Sequence, residues 1–448
     1  MIINSQEELD IFNIHLKTSD CILVPILVDN YFHPGNNSIS LLYFYFIDIK
    51  KEFVILYDHY DRLMDINIDL NLSRNIYTFD KKELLHIYNF DIDRIIDLKL
   101  SMYIDGDIQS LNNINSVLSS KYFKFYIYNI KNIRRLYTLS KLIEYCQNLT
   151  DIGIKFLSKK PIIVSSKQFK FYNYNVINNL QILESNGLYI SKTKLCRYFV
   201  NKCNRHINNT SKIYSSYNLL TATGRPANSY NGINFAALNK TNGERGTFTS
   251  RFDKDGVLIE FDYESFHPRL ISKLINYKID GNIYNYLGKQ LMDKDTLTAD
   301  EYDEIKSITF QLIYGNIYNE FLVIPFFKKI YVYINDIWEN FNIKRYYESS
   351  ISGKKIFVNK SMNKYKLWNY IIQLYESEHN FLIMDKINKF MKGKKSKFVL
   401  YTYDSFLFDF HKSDISLLQE LKEIIKDDYY PLTIKAGSNY NELRKFKI

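Results

Sequence analysis

Two short apolar segments, each followed by an aspartate, constrain the fold of this chain most strongly. Asp262 follows residues 257–261, and Asp404 follows residues 398–403. Apolar runs of this length are typical of buried strands in a sheet. If the two strands are neighbours, their carboxylates meet at one edge of that sheet. Such a pair can hold two divalent cations about 3.5–4 Å apart, the arrangement that assists a phosphoryl displacement.

Each aspartate also has an ordinary structural interpretation. A helical pattern follows at residues 265–277, so Asp262 is also a candidate helix N-cap. Asp404 and Ser405 lie between two predicted strands, so Asp404 is also a candidate hairpin tip. Two-residue hairpin turns favour Asn-Gly or Asp-Gly, and Asp-Ser is a poorer turn former.

A third segment, residues 298–315, predicts a helix with an unusual face. Thr298 and Glu301 form a capping-box pattern, and Gly315 is a suitable stop. Side chains at four-residue intervals share one face of this helix: Tyr302, Lys306, Phe310 and Tyr314. Their cation and rings offer a surface for a phosphate and a base. The alternative is an aromatic stripe that packs into the core, which the lysine in its middle disfavours.

Charge and cysteine content limit the class of protein. The 448 residues carry 59 basic and 49 acidic side chains, a net charge of +10. This balance fits a polyanionic partner, although a merely basic soluble protein remains the alternative. The four cysteines form no C-x-x-C pair, which disfavours a disulfide framework or a zinc site and indicates reduced intracellular thiols. The N-terminus lacks the apolar run of a secretory signal, and no run is long enough to span a bilayer.

Five segments resemble, in their order and spacing, the motifs of the family A DNA polymerases, the group of bacterial DNA polymerase I and many phage replicative enzymes. The segments are TATGR at 221–225, FDYESFHPR at 261–269, KSITFQLIYG at 306–315, NYIIQ at 369–373 and YDS at 403–405. Each motif alone is weak, but five in the same order are specific. The resemblance covers residues 174–448.

The resemblance implies roles for individual side chains. Asp262 and Asp404 would bind two Mg²⁺ ions, with the carbonyl oxygen of Tyr263 as an additional ligand. Lys306 would meet the incoming triphosphate, and the rings of Phe310 and Tyr314 would line the sugar and base of the nascent pair. The residues expected to lie at the primer–template DNA, or to support that surface, are Arg225, Asn234, Arg269, Asn369 and Gln373.

Several positions depart from the family pattern. His267 stands where the family has a glutamate that helps to exclude ribonucleotides. Tyr302 replaces an arginine of the fingers helix, and Tyr284 replaces a histidine on the phosphate side, so both are expected at the nucleotide. Ser405 replaces the glutamate after the second aspartate, as in single-subunit phage RNA polymerases. Phe310 in place of tyrosine implies rejection of dideoxynucleotides.

The resemblance also implies the architecture. We expect an α/β (α+β) right-hand polymerase with an antiparallel palm sheet, helical fingers and a reduced thumb. Residues 1–165 would form an exonuclease-like domain, 166–220 the thumb, and 221–448 the palm and fingers, with the fingers at 280–345. Only about 34 residues separate Gly187 from the TATGR segment, enough for a short helical pair, so low processivity is expected without a partner.

The N-terminal third is predicted to be a degenerate proofreading domain. Its strand-rich start fits an RNase H-like sheet. The 3′–5′ exonuclease reaction needs several metal-binding acids, beginning with a D-x-E pair. Asp29 lacks the partner acid at Tyr31, and Asp91 and Asp97 are the candidates for remnants.

Together these patterns predict a template-directed DNA polymerase that adds dNTPs to a primer 3′-hydroxyl without proofreading. One alternative is a single-subunit RNA polymerase or primase-like enzyme, which Ser405 and His267 permit. The other is a catalytically inactive, polymerase-shaped nucleic-acid-binding protein, which the two aspartates and Lys306 disfavour. The expected partners are primer–template DNA, dNTPs and a processivity or replisome factor. We also expect a monomer that acts in the cytoplasm and away from membranes. The compact form fits a small phage-like replication system.

Overall fold

The described residues form two compact units. The computed structural model describes residues 1–29, 32–66, 68, 74–88, 92–106, 134–159, 161–200, 211–359 and 361–447. The first unit comprises Met1–Thr221 and Ala227–Leu238, and the second comprises Ala222–Pro226 and Asn239–Ile448. No described helix combines the length and apolar character needed to cross a membrane.

The first unit is built on a five-stranded mixed sheet. Its strands are β1 Cys21–Leu27, β2 Ile39–Phe46, β3 Lys51–Leu56, β4 Ile76–Thr78 and β5 Ile95–Asp97. The strand order is β3-β2-β1-β4-β5. Strand β2 runs antiparallel to both β1 and β3. Strand β4 runs parallel to β1, and β5 runs parallel to β4. This is the arrangement of an RNase H-like sheet, as predicted.

Helices cover both faces of this sheet, which explains why β1 is apolar along its whole length. Helix α1, Gln6–Thr18, begins at Ser5, whose side chain accepts a hydrogen bond from the N–H of Glu8. Its Phe12 ring packs edge-on against Phe44 of β2, with ring centroids 4.9 Å apart. On the other face, Gly153 of α4, Leu139–Lys159, lies so close to Ile22 that an added Cβ would approach that side chain to 3.1 Å.

The rest of the first unit consists of short helices and strands. The helices are α2 Lys81–Ile87, α3 Leu98–Ile104, α5 Lys167–Phe169, α6 Ile177–Asn186 and α7 Lys192–Tyr198, with a π-helical segment Lys170–Val176 before α6. The strands are β6 Leu188–Ile190, β7 Lys212–Ile213, β8 Tyr217–Asn218, β9 Ala227–Tyr230 and β10 Ile233–Asn234. Residues 201–210, within the predicted thumb, lie outside the described residues, and the assignment of 166–220 to a thumb stays a prediction.

The second unit contains an antiparallel five-stranded sheet, as predicted for a palm. Strands β12 Gly256–Tyr263, β15 Lys397–Tyr401, β16 Ser405–His411, β17 Leu432–Gly437 and β18 Arg444–Lys445 form it. The order is β15-β16-β12-β17-β18, so β12 lies between β16 and β17. The short strand β11, Phe248–Thr249, precedes this sheet in sequence, and β13, Tyr346–Glu348, pairs with β14, Lys355–Phe357.

The helices predicted at 265–277 and 298–315 are present in the second unit, although the first ends at Leu274. The helices of this unit are α8 Phe266–Leu274, α9 Ile283–Met292, α10 Ala299–Tyr314, α11 Pro325–Lys344, α12 Lys364–Met391 and α13 Leu418–Ile425. The capping box at the start of α10 is present, because Thr298 and Glu301 each accept a hydrogen bond from the other's backbone N–H. Gly315 is the C-cap. The sequence pattern at 298–315 therefore gave both ends of this helix.

Candidate active site

The two aspartates lie side by side at one end of the palm sheet. Asp262 of β12 is directly opposite Ser405 of β16. The N–H of Tyr263 donates to the carbonyl oxygen of Asp404 at 2.9 Å. Asp262 is part of the strand, and the N-cap of α8 is Ser265. The interpretation of Asp262 as a helix N-cap is therefore wrong, because the strand continues to Tyr263 and a two-residue turn, Glu264 and Ser265, precedes the helix.

The Asp262 carboxylate disfavours the ionisation of Asp404. Burial, followed by the neighbouring Asp262 carboxylate, raises the pKa of Asp404 to about 6. Burial also raises the pKa of Asp262, against the opposing effect of a lysine that contacts it. Neighbouring carboxylates gain from a divalent cation, and carboxylate and carbonyl oxygens are the ligands that Mg²⁺ prefers. The donor set of Asp262, Asp404 and the Tyr263 carbonyl therefore fits this ion.

An unusual backbone turn presents Asp404. Strand β15 ends at Tyr401, two residues earlier than predicted, because Tyr403 adopts a left-handed conformation with φ of 67°. Asn380 of α12 donates to the carbonyl oxygen of Tyr403 at 2.5 Å and to the hydroxyl of Tyr401 at 3.1 Å. The Arg225 guanidinium lies 3.7 Å from the centre of the Tyr403 ring. A non-glycine residue at positive φ costs about 1–3 kcal/mol, so these contacts hold a strained turn beside Asp404.

The face of α10 that carries Lys306 is directed away from the core. Its opposite face buries Ile305, Thr309, Leu312 and Ile313. Lys306 is exposed, and Tyr302, Phe310 and Tyr314 are each only partly buried. The rings of Phe310 and Tyr314 are nearly parallel, with centroids 5.9 Å apart. The interpretation of this stripe as core is therefore wrong, since the helix packs through other residues.

His267 connects α10 to α12. Its Nδ1 is hydrogen-bonded to the Tyr314 hydroxyl. Its Nε2 lies 2.9 Å from Oε1 of Glu376, a fully buried carboxylate. The second oxygen of Glu376 lies 3.1 Å from Nε of Arg225. A continuous series of polar contacts thus runs from Tyr314 to Arg225 through His267 and Glu376.

The sequence motifs do not include Glu376, although the spacing of polar side chains along α12 indicates it. The polar side chains on one side of α12 occur at helical spacing: Asn369, Gln373, Glu376 and Asn380. The helix buries many apolar side chains elsewhere along its length. A polar row that is partly buried, as at Glu376 and Asn380, predicts partners that satisfy its hydrogen bonds. The NYIIQ segment contains two of these four positions, Asn369 and Gln373.

Asn369 and Gln373, two residues of this polar row that are expected at the DNA, contact other predicted motifs. The Thr223 hydroxyl donates to the Gln373 side chain at 3.2 Å. Asn369 donates to the backbone carbonyl of Tyr314 at 3.1 Å. The TATGR and NYIIQ segments are therefore brought together with the end of α10.

Arg269 and Asn234 have different surroundings. The guanidinium of Arg269 is largely buried and donates to the carbonyl oxygens of Ile279 and Gly281. That placement fits a supporting residue and leaves little of its surface for DNA. Asn234 is an exposed residue of the first unit, and its side chain accepts a hydrogen bond from the N–H of Ala236.

Tyr284 and Tyr302, the two tyrosines expected near the nucleotide, contact each other. Their rings meet edge to face with centroids 5.2 Å apart. Asn282 donates to the Tyr302 hydroxyl at 3.4 Å. Burial raises the pKa of Tyr284 to about 12, so its phenol stays neutral at physiological pH. The pair joins α9 to the first turn of α10.

Two further charged residues at the paired aspartates escaped the sequence analysis. Glu260 precedes Asp262 by two residues on β12, so both side chains lie on the same face. The Lys435 ammonium, from β17, contacts Asp262 and lies 3.2 Å from Oε2 of Glu260. The Ser405 hydroxyl lies 3.4 Å from the other Glu260 oxygen. A third carboxylate and a lysine are therefore part of this site.

The first unit has acids around its sheet, but basic groups accompany them. A cavity of about 440 Å³ is lined by Asp80 and Glu83 together with Lys99 and Arg134. Lys99 forms an ion pair with Asp80 at 3.4 Å. Asp97 is the N-cap of α3, and its two oxygens accept backbone hydrogen bonds at 2.8 Å each. Asp97 therefore has a structural role, and Asp91 lies outside the described residues.

His33, His86 and Glu184 form a cluster in the first unit whose composition suits a metal. The contacts that these three residues make, however, do not suit a metal ion. The N–H of Gly35 donates to Nδ1 of His33, so the proton of the neutral ring sits on Nε2, where a metal would need a lone pair. Lys82 already contacts Glu184 at 2.6 Å, and the Tyr217 N–H donates to the same oxygen at 2.6 Å. This cluster is a buried hydrogen-bonding centre.

Comparison of sequences finds no match to this chain, whereas comparison of structures does. No protein-family model matches the chain, and no curated protein sequence matches it. Solved structures do resemble it. One is the POL domain of Pol1 from M. smegmatis, in complex with DNA primer-template and dNTP, with a TM-score of 0.74, 11% sequence identity and 99% of each chain covered. At this identity the likeness establishes the fold, and the chain therefore has the fold of the POL domain of a DNA polymerase of the Pol1 type.

Proposed function

We propose that this protein is a template-directed DNA polymerase that adds dNTPs to a primer 3′-hydroxyl. The main support for this proposal is the proximity of Asp262 and Asp404 at the end of the adjacent palm strands β12 and β16. The polymerase fold supports the same conclusion. Because the similar solved structure contains primer-template DNA and a dNTP, we propose these as partners of this chain as well.

Asp262, Asp404 and the Tyr263 carbonyl are the groups we assign to the metal ions. Two Mg²⁺ ions at this position would activate the primer hydroxyl and stabilise the leaving pyrophosphate. The protein's own contribution is positional. The strained turn at Tyr403, held by Asn380 and Arg225, fixes Asp404 relative to Asp262. Rigid placement of charge before the reaction is a main source of catalysis in phosphoryl transfer.

The exposed face of α10 is the proposed nucleotide surface. The Lys306 ammonium is a compact cation on a flexible stem, suited to a triphosphate. The stacked rings of Phe310 and Tyr314 offer an apolar wall for the sugar and base. We place Tyr302 and Tyr284 on the phosphate side, where their contact would position the start of the helix.

The polar row of α12 is the proposed DNA side of the palm. Gln373 and Asn369 lie beside the TATGR segment and the end of α10. Arg225 is partly exposed, so its guanidinium retains surface for a phosphate or a base edge while Glu376 orients it. The assignments of 221–448 to palm and fingers and of 166–220 to a reduced thumb belong to the same proposal.

We infer further that the protein lacks proofreading. Strand β1 carries only apolar residues and a proline, so it supplies no metal-binding acid. Asp97 is engaged as a helix cap, and Asp80 is paired with Lys99. A two-metal nuclease site needs several carboxylates free of such partners.

Primer extension in Mg²⁺ tests the proposed activity. The intact protein should extend an annealed primer with dNTPs, and Asp404→Asn should not. Asp293→Asn, a change at an exposed position of left-handed backbone that asparagine tolerates, is the matched control. Extension with rNTPs alone would favour the RNA polymerase alternative, and no extension at all would favour the inactive one.

A further inference from the structure

Lys435 and Glu260 lie at the proposed metal site without any function assigned to them so far. Lys435 is directly opposite Glu260 in the pairing of β17 with β12, and Asp262 is diagonal to it. A lysine side chain can reach both a directly opposite and a diagonal neighbour across two strands. The ammonium of Lys435 accordingly contacts both carboxylates.

The Lys435 ammonium contacts a carboxylate oxygen that would have to be free in order to bind a metal ion. It contacts Oδ2 of Asp262, one of the two oxygens of the carboxylate assigned to Mg²⁺. The side chains of Lys435 and Asp262 are only 26% and 28% exposed, so water screens their attraction weakly. The ammonium of Lys435 lies against two carboxylates, Glu260 and Asp262, which favour its charged form. A monovalent cation of the protein therefore occupies Asp262.

Glu260 is built to hold that cation. Its side chain is 6% exposed, so an unpaired charge there would be unfavourable. One oxygen faces the Ser405 hydroxyl at 3.4 Å, and the other faces Lys435 at 3.2 Å. If Lys435 leaves Asp262, it can stay bound to Glu260 by a small rotation, and neither charge is left without a partner.

We propose that Lys435 competes with the divalent cation for Asp262, and that Glu260 receives the Lys435 ammonium when the cation binds. This inference rests on the proposed function, because it concerns the carboxylate assigned to the metal there. Lys435 would keep Asp262 neutralised and in place before the metal arrives. Glu260 would make displacement of the lysine easier, and the site would then bind divalent cations more weakly than its three carboxylates alone would allow.

The test measures Mn²⁺ binding by the loss of its free-ion EPR signal, at neutral pH, low ionic strength and without DNA or nucleotide. Lys435→Met should bind Mn²⁺ about tenfold more tightly than the intact protein, since it removes a cation at contact distance. Lys435→Arg, which keeps a cation that can bind carboxylates, should not tighten Mn²⁺ binding. Lys445→Met removes an exposed lysine paired with Lys435 in the sheet and should change nothing. Unchanged or weaker binding by Lys435→Met would overturn the proposal.

A double-mutant cycle tests the part assigned to Glu260. Glu260→Gln should weaken Mn²⁺ binding in the intact background by about threefold or more, because Lys435 then has only Asp262 to bind. In the Lys435→Met background the same change should have little effect. Equal losses in both backgrounds would make Glu260 a metal ligand and would overturn its assignment as the acceptor of Lys435. Circular dichroism checks folding, and Lys435→Gln replaces Lys435→Met if that variant fails to fold.

The outcome is separable from the proposed polymerase activity. Primer extension is measured on the same preparations. If the intact protein extends primers and Lys435→Met leaves Mn²⁺ affinity unchanged, only the competition by Lys435 is refuted. If no preparation extends a primer and Lys435→Met binds Mn²⁺ more tightly, the competition stands and the polymerase assignment fails.

Discussion

The hydroxyl of Tyr314 is hydrogen-bonded to Nδ1 of His267. This contact ties the last turn of α10 to the first turn of α8, the helix that follows Asp262. Glu376 fixes the other nitrogen of the same ring. The imidazole therefore has little rotational freedom, and it lies beside a ring that we assign to the sugar and base of the incoming nucleotide.

The first prediction concerns sugar selection. A side chain held in this way can exclude a 2′-hydroxyl by occupying its space. His267→Ala should raise the ratio of kcat/KM for an rNTP to that for the matching dNTP by about tenfold or more, the effect of losing one steric contact. Single-nucleotide extension assays measure the ratio. His411→Ala, a change at a histidine outside this site, is the control, and an unchanged ratio in His267→Ala would refute a part for His267 in sugar selection.

The second prediction concerns the turn before Asp404. Asn380→Leu keeps the approximate size of the side chain but removes both hydrogen bonds to the turn. It leaves the Tyr403 carbonyl and the Tyr401 hydroxyl without this donor. Unfolding free energy should fall by about 1–3 kcal/mol in urea titrations. The rate of nucleotide addition should also fall, since Asp404 follows the loosened residue. Asn340→Leu, on the exposed side of α11, should alter neither quantity by a comparable amount.

The third prediction concerns pH. Burial, with a smaller contribution from Lys273, lowers the pKa of His379 to about 4. The unfolded chain binds that proton near pH 6.5, so the folded state is favoured above that pH and loses stability as the pH falls toward 4. His379→Phe, which suits the surrounding rings of Tyr263, Phe266 and Tyr430, should remove about 1–2 kcal/mol of the stability difference between neutral pH and about pH 5. Urea titrations at both pH values provide the measurement, and an identical pH dependence in the variant would contradict the buried neutral state of His379.

The fourth prediction concerns Phe310. Its ring stacks on Tyr314 and carries no hydroxyl. The family resemblance implies that phenylalanine here disfavours nucleotides without a 3′-hydroxyl. Phe310→Tyr should therefore raise incorporation of a ddNTP relative to a dNTP, by about tenfold or more for a gained polar contact in a closed site. Competition assays with mixed substrates give the ratio. Phe321→Tyr is the control, and equal ratios for Phe310→Tyr and the intact protein would count against Phe310 as a sugar contact.

Patterns confined to one segment were predictable from the sequence. The capping box and Gly315 defined α10, and two apolar runs predicted β12, which carries Asp262, and β15, which ends three residues before Asp404. The lysine in an aromatic stripe correctly indicated that this face of α10 is not core. In each case a local rule of hydrogen bonding or periodicity was sufficient.

Contacts between distant segments were not predictable in this way. Lys435 and Glu260 are 175 positions apart, and only the register of β17 on β12 brings them together. The left-handed Tyr403 is stabilised by Asn380 and Arg225, which come from two other segments. Asp262 illustrates the same limit, because its sequence context alone fits an N-cap as well as a metal ligand.

The most direct test of the central claim is single-turnover addition of one dNTP to a primer in Mg²⁺, followed by rapid quenching. Asp262→Asn and Asp404→Asn should each slow the chemical step by at least about a hundredfold, because each removes a charge that the metal site needs. Both variants should still bind primer–template DNA about as tightly as the intact protein. If either variant added the nucleotide at the rate of the intact protein, Asp262 and Asp404 would not form the catalytic metal site.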